Sequence, residues 1–263
     1  MIERRALFFD VDGTLMGENG CIPESALAAI NEARNNGALV FINSGRVYPL
    51  AAYLDKYIET DGLLCGCGTD LRLGKNQLYI YYMPEAILED IRNSYMEYKI
   101  DIFLEGSQGV SASPKLRIKE SLDVAEFISK QNGMSVMDFY DKAYRPSKFC
   151  VLSDEESDIE GFINRYKAAF DFIDRGDGFY ECVPHGHGKG FAVFKILELC
   201  KVKPENAYVF GDSTNDIDML KVVDHAVIMG KHDKAIEEYA EFVTKNVEDD
   251  GIAYAMKHYG IIK

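Results

Sequence analysis

The sequence predicts an α/β fold: a doubly wound, Rossmann-like parallel sheet interrupted by an inserted α+β domain. Three observations carry that expectation. Short, wholly apolar runs alternate with helical periodicity in the first part of the chain. The alternation stops between about residues 84 and 184, and it resumes near Gly188. Apolar strands that do not alternate with polar residues belong to sheets covered on both faces, and those are built from parallel strand–helix–strand units.

The elements follow in order. RALFFD (5–10) is the first strand. Residues 23–36 form a helix that opens at Pro23, closes before Gly37 and places Ala26, Leu27, Ile30 and Ala33 on one face. ALVFIN (38–43) is a second strand, Pro49 to Ile58 a second helix, and GLLC (62–65) a third strand. A hairpin over 69–83 turns at Gly74-Lys75-Asn76. From Pro84 to Pro184 the order is helix, two short strands, helix, strand, helix, two strands, with DIFLE, KFCVLS and FYECV among the strands. Successive strands without intervening helices predict an antiparallel sheet. The first rhythm then returns: helix 188–200, strand AYVFGD, helix 214–223, strand HAVIM, helix 233–240, strand FVT and helix 250–258. The expected division is a core of residues 1–83 plus 185–263 and an inserted domain of residues 84–184.

Composition narrows the function classes. The chain has 263 residues, 47% hydrophobic and 27% charged, ordinary for a globular protein. A net charge of -14 argues against nucleic acid or an anionic membrane as partner, since both reward basic surfaces. The N-terminal region offers only the four-residue apolar run 6–9, too short for a signal peptide, and no run approaches the ~18 residues of a membrane span. The expected location is the cytoplasm. The six cysteines are scattered; Cys65 and Cys67 form C-x-C, but no second pair stands near enough in sequence to suggest zinc, so reduced thiols are expected. Nothing in the sequence bears on oligomeric state.

Open α/β sheets bind ligands beyond the carboxyl ends of their strands. Three such ends carry Asp10-Val11-Asp12-Gly13-Thr14, Asn43-Ser44-Gly45-Arg46 and Gly211-Asp212-Ser213-Thr214-Asn215-Asp216. Four carboxylates converging there would repel one another, which calls for a hard divalent cation with oxygen ligands. A site that combines one or two carboxylates with waters and substrate phosphate suits magnesium. In DVDGT one carboxylate can attack phosphorus while the other moves a proton at the leaving oxygen. The ordinary alternatives are a calcium loop or a capped turn. Ser44 and nearby N–H groups can hold phosphoryl oxygens, although a serine there is more often a helix cap. Lys189, between glycines in HGHGKG, can offset the gathered negative charge; most such lysines are simply solvated. Asp212 and Asp216 share a helix face, with Asn215 placed to orient them. His185 and His187 could reach substrate or metal, while most loop histidines are solvated.

These elements, in this order, resemble the haloacid dehalogenase superfamily of phosphotransferases. DVDGT is similar to its first motif, INSGR to its second, Lys189-Gly190 to its third and GDSTND to its fourth. The resemblance implies Asp10 as nucleophile, Asp12 as general acid/base, Ser44, Gly45 and Lys189 around the phosphate, and Asp212 as a metal ligand. In the family the nucleophile carboxylate and the main-chain carbonyl of the second aspartate also hold Mg2+. Asn215, Asp216 and Arg46 would support the site. About thirty residues separate Asp12 from Ser44, too few for the helical cap of dehalogenases. The long insertion after the second motif instead resembles the large α/β cap of the Cof-type phosphatases. One departure is Cys67-Gly68-Thr69, where such members commonly carry Asn-Gly-Ala. The implied function is a magnesium-dependent phosphatase acting on a small phosphorylated metabolite, such as a sugar phosphate or nucleotide, through an aspartyl-phosphate. A phosphotransferase or phosphomutase is the second reading and would pass the phosphoryl group to a sugar hydroxyl. A non-catalytic phosphate-binding regulatory protein is the third, and it would be expected to lose motif residues that are all present here.

Overall fold

A computed structural model describes residues 4–130 and 137–263. In chain order the strands are β1 (Ala6–Phe9), β2 (Leu39–Asn43), β3 (Gly62–Cys65), β4 (Asp70–Leu73), β5 (Asn76–Ile80), β6 (Asp101–Gly106), β7 (Gly109–Ala112), β8 (Lys148–Leu152), β9 (Phe170–Asp174), β10 (Phe179–Pro184), β11 (Ala207–Gly211), β12 (His225–Ile228) and β13 (Phe242–Val243). The α-helices are α1 (Glu24–Asn35), α2 (Tyr48–Ala51), α3 (Glu85–Ser94), α4 (Lys119–Lys130), α5 (Ile159–Tyr166), α6 (Lys189–Cys200), α7 (Ile217–Leu220) and α8 (Gly251–His258).

The chain divides into two compact units. The first comprises Met1–Gly45, Ala51–Leu78 and His187–Lys263; the second comprises Arg46–Leu50 and Tyr79–Gly186. The rhythm of the sequence places the divides near 83/84 and 184/185. In the structure they follow Leu78 and Gly186, because Tyr81 and Met83 join an apolar cluster of the second unit. Residues 46–50 also count with that unit: Val47 and Leu50 pack with Phe103, Cys150 and Leu152. The stretch expected as one helix over 49–58 is therefore shared between units, and it forms α2 followed by a 3-10 turn over Ala52–Lys56.

The first unit is built around β1. Leu7, Phe8 and Phe9 are fully buried, as a strand covered on both faces requires. β1 pairs in parallel with β2 on one side and β11 on the other, and the sheet order is β13-β12-β11-β1-β2-β3-β4-β5. Only the β3–β4 hairpin runs antiparallel among the pairings described. The chain order reverses between β1 and β11, so the end of β1 lies at a topological switch point, where such sheets open a ligand crevice. α1 turns Ala26, Ala29, Ile30 and Ala33 inward; Leu27, expected on that face, is half-buried. Of the helix expected over 214–223, Thr214–Asp216 is a 3-10 turn and Ile217–Leu220 the single-turn α7, and the helix expected over 233–240 is a 3-10 helix over Lys234–Tyr239.

The second unit holds the antiparallel sheet β7-β6-β8-β10-β9. One face packs on α3 and α5 through Leu88, Ile91, Phe162 and Tyr166; the other meets Ile118 and Ile128. Lys148, 1% exposed, sits within that sheet between Glu105 (2.6 Å) and Glu181 (2.8 Å). Among the described residues no helix is long and apolar enough to cross a membrane.

Candidate active site

Asp10 is the first residue beyond β1, 4% exposed, its N–H donating to the Phe210 carbonyl at 3.0 Å. The chain then reverses at once. Met16 N–H donates to the Val11 carbonyl at 2.8 Å, and Gly13 sits at φ +83°. That turn needs glycine twice over: the left-handed backbone disfavours a side chain, and a Cβ there would lie 2.6 Å from Asp212 Cγ. The turn keeps Asp10 inside while Asp12 is exposed.

Lys189 opens α6, and its side chain is wholly buried. Its Nζ donates to Asp10 Oδ1 at 2.6 Å, Asp216 Oδ1 at 2.6 Å and Asn215 Oδ1 at 3.1 Å. Asp216 is fully used: its other oxygen accepts the Asp212 and Ser213 N–H groups at 2.9 and 3.1 Å. It thereby closes a capping box with Ser213 at the start of the fourth motif's turn. Asp212 Oδ1 accepts from Thr14 Oγ1 at 3.0 Å, which ties the β11 loop to the β1 loop. One oxygen from each of Asp10, Asp212 and Asp216 lies within 4.8 Å of the others.

The electrostatics are strained in one direction. Burial pushes the Asp10 carboxyl up to about 6, and the charges of Asp216 and Asp12 add to this, while Lys189 opposes it. Asp212 rises further, to about 8, through burial and then the charges of Asp10 and Asp216. Burial alone would lower the Lys189 ammonium; Asp10 and Asp216 outweigh it and hold it charged, above its ordinary value. With all three clustered carboxylates ionised, the one ammonium leaves two negative charges uncompensated. Hard oxygen donors with that charge fit one divalent cation. Asp216 has both oxygens committed, so Asp10 Oδ2 and Asp212 Oδ2 are the carboxylate oxygens left to hold it.

Of the residues singled out from sequence, Asp10, Lys189, Asp212, Asn215 and Asp216 come together. Asn215 Oδ1 accepts from Lys189 Nζ at 3.1 Å and from Ser213 Oγ at 3.2 Å. Ser44 is buried at the end of β2, but its N–H donates to the Leu64 carbonyl at 2.8 Å, so that amide is taken by the sheet. Gly45 ends the segment of the first unit, and Arg46 begins the five residues that belong to the second. His185 lies in the second unit beside Asp171 at 3.3 Å, and the His187 ring packs 5.3 Å from Phe191. Three residues given no role from sequence are engaged: Thr14 on Asp212, Asn43 on the Lys189 carbonyl and Asp218 on the Gly190 N–H. Thr14 lies within the first motif; the other two have partners far away in sequence, which no local pattern reveals.

A family model described as haloacid dehalogenase-like hydrolase matches residues 7–256. The chain belongs to the haloacid dehalogenase-like hydrolases. This hydrolase is an enzyme of the phosphatase type, as its full-length relatives are named. It is 27% identical to the putative phosphatase YkrA of Bacillus subtilis over the whole of both chains. It is 26% identical to the 5-amino-6-(5-phospho-D-ribitylamino)uracil phosphatase YwtE of the same organism, over 95% of this chain and 96% of that one. Its fold superposes on BT1666 of Bacteroides thetaiotaomicron, a phosphatase of the same superfamily, with a TM-score of 0.85 at 23% identity, covering 99% and 96% of the two chains.

Proposed function

We propose that this hydrolase is a magnesium-dependent phosphomonoesterase acting on a small phosphorylated metabolite, with Asp10 as nucleophile. The observation that carries the reading is the buried Asp10 carboxylate, bonded on one oxygen to Lys189 and left open on the other beside Asp212. Asp10 Oδ2 attacks phosphorus, the P–O bond to the leaving group breaks, and an aspartyl-phosphate forms. Asp12, exposed at the turn, protonates the departing oxygen. Water then attacks the phosphorus of that intermediate while Asp12 takes back its proton, and phosphate leaves with Asp10 restored. Lys189 keeps Asp10 ionised and faces the phosphoryl charge. Ser44 and Gly45 border the phosphoryl position. The residues that would hold the metal are Asp10, Asp212 and the main-chain carbonyl of Asp12; when bound, magnesium supplies positive charge to the phosphoryl oxygens.

The second unit, in this reading, selects the leaving group and takes no part in phosphoryl transfer. The relatives' named substrates, a ribitylaminouracil phosphate and phosphoglycolate, support a small metabolite as substrate. Net charge -14 supports a partner other than nucleic acid or an anionic membrane, and six cysteines outside any disulfide support the reducing cytoplasm as location. The test is phosphate release from a panel of sugar phosphates, nucleotides and an aryl phosphate with magnesium, for the wild type and Asp10→Asn. The expected result is turnover by the wild type and loss to the detection limit in the variant, which still melts cooperatively. A variant keeping a tenth of wild-type turnover, or full wild-type activity after exhaustive chelation, would overturn the reading.

A further inference from the structure

Lys189 has an awkward address. It is the first residue of α6 and follows His185-Gly186-His187-Gly188, a segment with two glycines at positive φ. First-turn residues lack intrahelical partners for their N–H groups, and a lysine side chain has more rotamer freedom to lose than most. Yet its Nζ must stay within 2.6 Å of two carboxylates at once. Something outside the helix has to hold the main chain at this point.

Two side chains do so from opposite sides. Asn43 Nδ2, at the end of β2, donates to the Lys189 carbonyl at 3.0 Å, and Asn43 is fully buried. Asp218 Oδ2, at the start of α7, accepts the Gly190 N–H at 2.7 Å. The single peptide group joining Lys189 to Gly190 is thus gripped at its C=O and at its N–H, across 146 and 28 residues of sequence. The flanking glycines make room for this. A Cβ on Gly188 would collide with the Asp218 carboxylate, and one on Gly190 would sit 2.7 Å from the Asp218 carbonyl carbon. Glycine is therefore required by packing at both positions, and by its positive φ as well at Gly188.

The geometry points to Asn43 and Asp218 as a clamp that positions Lys189 for phosphoryl transfer. Neither touches the carboxylate triplet's oxygens; both act through the lysine, so they are positioning residues. The inference rests on the role proposed for Lys189. Asp218 is the sharper probe, because its carboxylate can be replaced by an amide that still accepts from the Gly190 N–H.

The experiment compares Asp218→Ala and Asp218→Asn in the full chain with an aryl phosphate and magnesium. Misplacing a reacting group by ~1 Å costs about 10²-fold. Asp218→Ala should lower kcat by about 10- to 100-fold with KM and the magnesium requirement changed by less than about threefold, and Asp218→Asn should recover most of the loss. In a Lys189→Met background, Asp218→Ala should cost less than about twofold more, since residues acting as one unit are not additive. If Lys189→Met does not melt cooperatively, Lys189→Arg serves as the background. Equal damage from Asn and Ala, or a full additional loss in the Lys189 background, would overturn the clamp. A readout independent of turnover is amide exchange: the Gly190 N–H should exchange faster in Asp218→Ala while strands of the sheet do not. Unchanged exchange at Gly190 would overturn the clamp even if no phosphoester were hydrolysed. A wild type inactive on every phosphoester with the clamp intact would instead sink the function proposed above.

Discussion

Lowering the pH from about 8 to about 6 should weaken magnesium binding by about fifty- to a hundredfold, and the magnitude follows from two buried carboxyls. Asp212 sits at about 8 because burial and the neighbouring charges of Asp10 and Asp216 oppose its ionisation. A cation takes only the ionised form. About half of Asp212 is ionised near pH 8 and about 1% near pH 6, a fall of roughly fiftyfold. Asp10, at about 6, is about half ionised at the lower pH and adds a factor of about two. The assay is the half-saturating magnesium concentration for phosphate release, paired with thermal melts at both pH values. The sign in the melts is fixed. A carboxyl raised in the folded state contributes stability that is complete below its unfolded value near 3.8 and lost as pH rises through about 8. The metal-free protein should therefore gain more in Tm from magnesium at pH 8 than at pH 6. Thr14→Val removes a hydrogen bond that favours the ionised Asp212, and it should move the half-saturation point higher still. A half-saturating concentration that stays within about twofold across this range would refute the reasoning.

Other outcomes follow from the same geometry. Asp12→Asn should reduce turnover by about 10²- to 10⁴-fold, and the loss should shrink for substrates whose leaving group needs no proton; a uniform loss across leaving groups would make Asp12 structural. Gly13→Ala, which drives a methyl into the Asp212 carboxylate at a left-handed backbone position, should raise the magnesium requirement and lower Tm, both read in one titration of melting curves. Replacing side chains of the β9–β10 hairpin, such as Asp177 in its turn or Phe179 at the start of β10, should reorder preference among natural phosphoesters while an aryl phosphate is hydrolysed nearly as before; the reverse pattern would place catalytic groups in the second unit.

Much of this architecture was legible because burial leaves a strong mark on sequence. The run 6–9 is uniformly apolar because β1 is covered on both faces, and the same holds for LVFIN and AYVF. The order of elements from α3 to β10 also matches the sequence reading. Short elements were less legible. The helix expected at 214–223 begins as a 3-10 turn because Asp216 turns back onto the Asp212 and Ser213 N–H groups, which tightens the first turn. The expected helix at 49–58 spans the boundary between units, and no local periodicity records which body a residue joins. Within the site, Lys189 and the aspartates stood out as motifs. Asn43 and Asp218 did not, because their meaning lies in contacts with the main chain of another element.

The central claim is that a phosphoryl group passes through Asp10, and its most direct test is to catch it there. The enzyme, magnesium and a rapidly hydrolysed aryl phosphate are mixed, quenched in acid within one turnover, and the chain is digested for mass spectrometry. The account predicts one added phosphoryl group on the Asp10 side chain, absent from Asp10→Asn and cleared when the mixture ages before quenching. Phosphate released at full rate while Asp10 stays unmodified, or the label found on another residue, would contradict it.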